Sequence, residues 1–261
     1  MNEEKNMSFL QHLEELRWRL VRCAIGIIIC ASVLFIYQEW IMDNVFLILL
    51  DQNFFSYRVL CENFGVCINK INVEMQSMNV AGQFSYAFMT SILGGIVISS
   101  PYIFYQIWCF IKPALKENEY TTSKGMIFYV SLLFILGILF GYFVVTPMTI
   151  QFFGSYQISK DIQNIFTIDS YMGMILSTIF YTGLFFLLPV FCYVLASMGV
   201  LTADVLRKYR RHAIIGVLIL SAIITPPDVI SQVVVSIPIA LLYEIGIISA
   251  ARVDKKRAKD L

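Results

Sequence analysis

Charge is scarce in this chain. Of its 261 residues only 14% are Asp, Glu, Lys or Arg, while 58% are hydrophobic. A soluble domain is nearer half apolar and a quarter charged, so the deficit argues against a fold bathed in water. The net charge of +1 leaves no global basic field of the kind that holds nucleic acid. Histidine is almost absent, with only His12 and His212. No His-Glu-x-x-His pair, no cysteine spacing suited to zinc and no phosphate-cradling Gly-rich loop with Lys and Ser/Thr is present. Cofactors and enzymatic chemistry are therefore not expected, and any transport work draws its energy from elsewhere. No repeat, low-complexity run or soluble-domain linker interrupts the chain. Nor does a small-residue cleavage site close the first apolar stretch, which begins at Cys23 and ends at Tyr37-Gln38-Glu39-Trp40. It reads as a retained span rather than a cleaved leader.

What the chain does have is long gaps between charges. Nothing charged lies between Arg22 and Glu39, Glu74 and Lys112, Lys124 and Lys160, or Asp169 and Asp204. Each gap houses the roughly 20 residues that a helix needs to cross hydrocarbon. Pro101 is expected to end the second helix, leaving the aromatic run Tyr102 to Trp108 at the lipid–water interface. Two shorter apolar runs flank Pro226-Pro227. The predicted spans are 20–40, 79–100, 125–147, 170–197, 212–225 and 229–249, with a polar loop at 43–78. The last two runs could also form a re-entrant pair, which the charge pattern does not exclude; two short spans that thin the bilayer are the preferred reading. All but three of the nineteen Lys and Arg (Arg58, Lys70 and Lys160) fall in alternate segments. By the positive-inside rule, both termini are then cytoplasmic. The fold class is all-α, a single polytopic membrane domain.

Three groups of residues invite a functional reading. Ser8 and Gln11 fit a capping box that starts a helix ahead of the membrane. In that helix Leu13, Leu16 and Leu20 share one face, while Glu15, Arg19 and Arg22 lie three or four apart on another and can pair. The loop carrying Phe110, Pro113, Glu117 and Glu119 places carboxylates at a basic face, where they would meet incoming cations. Read alone, each set is more readily a solvated surface than a binding site. Within the last apolar segment lie Gln232 and Glu244. A charge at the bilayer centre costs about 2.5–3.5 kcal/mol even on the lenient scale, so Glu244 should face protein or water, or be protonated. Asp228 can cap the helix that starts after Pro227.

Together these segments resemble the TatC family, the multispanning core of the twin-arginine translocase. The likeness rests on His12-Leu13-Glu14-Glu15-Leu16-Arg17 and Arg19-Leu20; on Ser100-Pro101, Tyr105-Gln106, Trp108, Phe110, Pro113-Ala114-Leu115 and Glu119; and on Tyr142-Phe143, Pro147 and Pro189-Val190. It ends in Thr225-Pro226-Pro227-Asp228, Ser231-Gln232, Ile237-Pro238 and Glu244-Ile245-Gly246. The resemblance implies six transmembrane helices in a cup, the fifth and sixth short. It implies a bacterial cytoplasmic-membrane receptor for twin-arginine signal peptides that works with TatA/TatB-type single-span proteins and itself. Such a complex exports folded cargo with the proton-motive force. By the same resemblance Glu15 and Glu119 bind the signal, with Phe110 and Arg17 at the same face, and Thr225 and Gln232 belong to a polar cluster where partner helices dock. The sequence departs from the family at Leu187, where many members carry a glutamate. Its first external loop is also long, and there Cys61 and Cys67 could form a disulfide. A competing reading from another class is a small-solute transporter coupled to protons through Glu244, although such folds tend to show internal repeats.

Overall fold

The computed structural model describes residues 9–64, 74–111, 123–157, 159, 164–224 and 229–259. The elements are α1 (Phe9–Ile36), α2 (Gln38–Ile41), a π-helical turn (Met42–Phe46), a 3₁₀ turn (Leu47–Leu50), α3 (Phe55–Phe64) and β1 (Glu74–Gln76). They continue with α4 (Gly82–Ile111), α5 (Ser123–Phe140), a second π-helical turn (Gly141–Val145), α6 (Thr146–Ser155) and β2 (Ile165–Thr167). The rest are α7 (Ile168–Phe185), α8 (Leu188–Ser197), α9 (Ala203–Lys208), α10 (Arg210–Ile224) and α11 (Val229–Lys259). Among the described residues, five stretches are helical, long and apolar enough to cross a membrane: His12–Ile36, Gly82–Ile111, Gly125–Ser155, Ile168–Ser197 and Gln232–Lys255.

Pro101 does not end its helix as expected. It lies inside α4, which runs on to Ile111. A helix in lipid tolerates proline because neighbours re-satisfy the freed backbone. Here one side of the aromatic run beyond Pro101 is packed, with Trp108 buried and Phe104 set edge-on against Phe134 of α5 at 5.5 Å, while Tyr102 and Tyr105 are exposed. Pro147 has a more visible effect. It has no N–H for the carbonyl of Phe143, four residues earlier. That carbonyl lies in the π-helical turn and accepts a bond from the Ser56 hydroxyl instead.

Glycines set the closest helix approaches. A Cβ on Gly95 of α4 would lie 2.9 Å from both the Ile27 carbonyl oxygen and the Ala31 nitrogen of α1. A Cβ on Gly137 of α5 would lie 2.8 Å from Gly183 Cα of α7. Small residues at such crossings let backbones touch where no hydrophobic effect drives association.

The sixth helix departs from expectation. α10, at 15 residues, is short, roughly 22 Å long at 1.5 Å per residue. α11 is not short: it runs for 31 residues, through Pro238 and past the expected end at 249. It continues because Glu244, which seemed to interrupt the apolar run, is paired, and because the basic tail that follows extends the helix beyond the apolar stretch. The two helices are antiparallel, joined at Arg210–Glu244 and at Gln232–Leu218.

The stretch expected to be a polar loop from residue 43 is partly a packed cap. Phe46, Leu49, Phe54 and Tyr57 are buried against Ile150, Tyr171, Met172, Ile175 and Leu176. Tyrosine hydroxyls fasten it: Tyr57 donates to the Leu49 carbonyl (3.0 Å) and the Pro147 carbonyl (3.3 Å), Tyr142 to Val45 (2.7 Å) and Tyr171 to Phe46 (2.7 Å). A short parallel pairing of β1 with β2 ties the two connections at this end together.

Candidate functional site

The first turns of α1 meet the last turns of α4 at the other end of the bundle. The two helices run antiparallel, so residues near the start of α1 face residues near Ile111. The His12 ring stacks on Phe110 with centroids 4.3 Å apart and planes 15° from parallel. About two turns further along, Arg19 Nη1 donates to Gln106 Oε1 at 3.3 Å. These contacts fix the angle at which α1 presents its charges.

Glu15 and Arg19 form the pair that the i, i+4 spacing predicts. Arg19 Nε donates to Glu15 Oε1 at 2.9 Å, and Nη2 donates to the same oxygen. Glu15 Oε2 is buried and has no partner among the described residues. The carboxylate is thus held by one oxygen and keeps a second acceptor free. Together with Trp18 and Arg22, Glu15 and Arg19 line a hollow at this end; Arg22 makes no ion pair with Glu15 among the described residues. Arg17 points elsewhere: it pairs with Glu14 at 3.4 Å and lies 5.8 Å over the Trp18 ring.

Gln106 carries no charge and sits in an apolar, aromatic run, so it attracted no role from the sequence. It is 5% exposed, and a buried side-chain amide requires a partner. That burial requirement, applied to the one amide in the run 102–111, was the signal that could have singled it out.

Glu119, Thr225, Asp228 and Cys67 lie outside the described residues, as does the side chain of Cys61, so the loop carboxylate, the capping aspartate and the disulfide are not placed. Among the described residues Cys23, Cys30, Cys109 and Cys192 are free thiols. Gln232 is placed: its Nε2 donates to the Leu218 carbonyl at 3.0 Å, joining α11 to α10.

Glu244 is not the solitary intramembrane charge that the sequence suggested. Its Oε2 accepts from Arg210 Nη2 at 2.7 Å, and both side chains are about half exposed. The pair sits where α10 begins, at the end that also carries Arg207, Lys208, Arg211, Arg252 and Lys255. Nor does Leu187 leave a vacancy where a carboxylate would face outward. It is 6% exposed and packs with Val130 and Phe134. The nearby Thr182 hydroxyl donates to its own helix, at the Thr178 carbonyl (2.6 Å).

A cleft of about 430 Å³ opens at the far end, lined among others by Leu34, Gln38, Glu39, Gln83 and Thr90. Nineteen residues of helix separate Leu34 from Glu15, roughly 29 Å, so it is not part of this site.

Residues 11–238 match the family model described as Sec-independent protein translocase protein (TatC). The TatC protein of Blattabacterium sp. subsp. Periplaneta americana is 37% identical to this chain, the match covering 98% of this chain and 99% of that one. The TatC protein of Carboxydothermus hydrogenoformans is 32% identical, covering 97% of each. Two solved structures, both of the twin arginine translocase receptor TatC, superpose with TM-scores of 0.70 and 0.71 at 29% and 30% identity, covering 93% and 91% of this chain.

Proposed function

This chain belongs to the TatC family, inner-membrane components of the twin-arginine protein translocase, and from that premise we propose that it is the subunit that receives the signal peptide. The observation that carries the reading is Glu15 Oε2, a buried carboxylate oxygen left unpartnered among the described residues while Arg19 holds the other oxygen in place. A guanidinium arriving at this end gives that oxygen charge-assisted hydrogen bonds in a fixed fork, which an ammonium does not reproduce. An exposed ion pair contributes little by itself. Discrimination of a twin-arginine motif therefore needs a second carboxylate at fixed spacing, and Glu119 fills that role. Phe110, stacked on His12, keeps the end of α4 against the helix that carries Glu15, and Arg17 adds to the basic rim.

In this reading the chain crosses the membrane six times with both termini cytoplasmic. Support comes from the alternation of the helices, the antiparallel α10–α11 pair, and the collection of described basic residues other than Arg58 at the end where α1 starts. Partner helices of the TatA/TatB type, and further copies of this chain, assemble around it. Thr225 and Gln232 form the docking cluster, and the proton-motive force drives export. The solute-transporter alternative loses its main support, because Glu244 is half exposed and already paired with a permanently charged arginine.

The test is site-specific crosslinking of a twin-arginine signal peptide to wild type, to each charge reversal (Glu15→Lys, Glu119→Lys) and to the double variant. Loss of crosslinking and export in the variants is expected. Undiminished crosslinking in the double variant would overturn the receptor assignment.

A further inference from the structure

Arg19 does not hold Glu15 in the usual side-on way, in which a guanidinium spans both oxygens of a carboxylate through two parallel bonds. Its Nε and Nη2 both donate to Glu15 Oε1, and the third nitrogen, Nη1, donates to Gln106 Oε1 at 3.3 Å. All three donor nitrogens are committed, and the buried amide on α4 keeps the group from turning onto Glu15 Oε2. The pair is well covered, with side chains 19% and 24% exposed. Oε2 itself is buried and unpartnered among the described residues. The site therefore presents one carboxylate oxygen rather than two.

We propose that Arg19 is the residue that makes this site choose arginine over lysine, by taking one oxygen of Glu15 out of play. The inference rests on the reading of this chain as the signal-peptide receptor and concerns how that site discriminates.

A single oxygen treats the two cations differently. A guanidinium brings adjacent N–H groups in a rigid plane, and two of them reach one oxygen, as those of Arg19 do at Oε1. An ammonium carries its three donors on one nitrogen, so it gives a single oxygen one bond. The shortfall is one charge-assisted hydrogen bond, worth roughly tenfold or more in affinity. A fully free carboxylate would remove it. An ammonium then bridges both oxygens and makes two bonds, as many as a side-on guanidinium. The preference for arginine thus comes less from an added contact than from one withheld from the competitor.

The measurement is equilibrium binding of one labelled signal peptide, in its Arg-Arg form and with both arginines changed to lysine, to the full chain in detergent. Wild type should prefer the Arg-Arg form. Arg19→Met keeps an apolar stem but no donor. It should bind the lysine form roughly tenfold tighter than wild type does, so that the preference shrinks by about that factor. Arg19→Gln removes the same charge but leaves an amide four residues from Glu15, within reach of Oε1, and should keep the preference. A structural disturbance would weaken both peptides, whereas a gain for lysine is specific to the freed oxygen. The inference is overturned by an unchanged preference in Arg19→Met, or by equal weakening of both peptides there. It is also overturned if Arg19→Gln loses the preference, since charge rather than occupancy of the oxygen would then set it. Glu15→Gln keeps this distinct from the receptor reading. Arg-Arg binding as strong as wild type in that variant defeats the receptor assignment, whereas binding that needs Glu15 but ignores Arg19 defeats only the role of Arg19.

Discussion

Adding one methyl group at Gly95 should separate packing from intrinsic helix preference. In Gly95→Ala the new Cβ meets two backbone atoms of α1, the Ile27 oxygen and the Ala31 nitrogen, at 2.9 Å. Backbone cannot rotate aside as a side chain can, so α1 and α4 must part. Overpacking of this kind costs about 1–3 kcal/mol. The same substitution at Gly216 of α10 meets nothing within 4 Å. Both changes gain the same intrinsic term, about 1 kcal/mol for replacing glycine within a helix. Gly216→Ala is therefore expected to be more stable than wild type. Gly95→Ala should fall below Gly216→Ala by the packing cost alone, about 1–3 kcal/mol. For a chain of this size each kcal/mol moves the melting temperature by about 2–4 °C, so thermal unfolding in one detergent resolves the two variants. Ala31→Gly should not rescue Gly95→Ala, because it removes a Cβ at 3.1 Å but leaves both closer backbone atoms. If the two alanine variants melt together, or if Ala31→Gly restores stability, the close-crossing argument is refuted.

The Ser56 hydroxyl replaces the hydrogen bond that Pro147 cannot make to the Phe143 carbonyl. Ser56→Ala should therefore cost about 1–3 kcal/mol, and Ser56→Ala/Pro147→Ala should recover part of it, because an alanine at 147 supplies an N–H; calorimetry in detergent measures both. Burial raises the Tyr57 phenol above its ordinary value of 10.0. Its contribution is intact below pH 10 and lost as pH rises beyond it, since ionisation is easier in the unfolded chain. Tyr57→Phe should flatten the alkaline fall in stability measured by pH-dependent melting, while lowering neutral-pH stability by about 1 kcal/mol through loss of its hydrogen bonding. The Arg210–Glu244 pair is half exposed at both partners, so a double-mutant cycle with Arg210→Gln and Glu244→Gln should give a coupling of about 0.2–1 kcal/mol. A coupling of zero by chemical or thermal unfolding would count against the pair forming in the membrane.

Much of the scaffold was legible because the bilayer imposes a coarse rule. A helix in hydrocarbon must be long and largely uncharged, and each of the four charge-free gaps of the sequence is occupied by one of the five stretches long enough to cross, two lying within their gap and two (His12–Ile36 and Ile168–Ser197) beginning ahead of it. Legibility failed where one residue's effect depended on a distant neighbour. Pro101 resembled a stop because local sterics disfavour helix before proline, yet packing of the aromatic turns against α1 and α5 carries α4 ten residues further. Glu244 resembled a lone buried charge because its partner stands 34 positions away, on a helix whose pairing with α11 no local pattern reveals. The cap after α1 was hidden for the same reason: its tyrosine hydroxyls reach carbonyls up to 125 positions distant.

The candidate site divides along the same line. Spacing alone joined Glu15 to Arg19, since residues four apart on a helix are neighbours. It could not show that Gln106 would hold the other side of that guanidinium, 87 positions later. This third member gives the pair its direction. Glu15 and Arg19 alone would be two long side chains on a helix surface, free to re-pair with water. Arg19 anchored to a buried amide is restrained, and the carboxylate oxygen it does not use stays unpartnered among the described residues. The same glycine crossing that fixes α1 against α4 near Gly95 therefore also sets the register of Glu15 against Gln106 and Phe110, about three turns or more along the helix. Separating α1 from α4 at Gly95 should consequently weaken signal-peptide crosslinking at Glu15 even at temperatures where the Gly95→Ala chain is fully folded, whereas Gly216→Ala should leave that crosslinking unchanged.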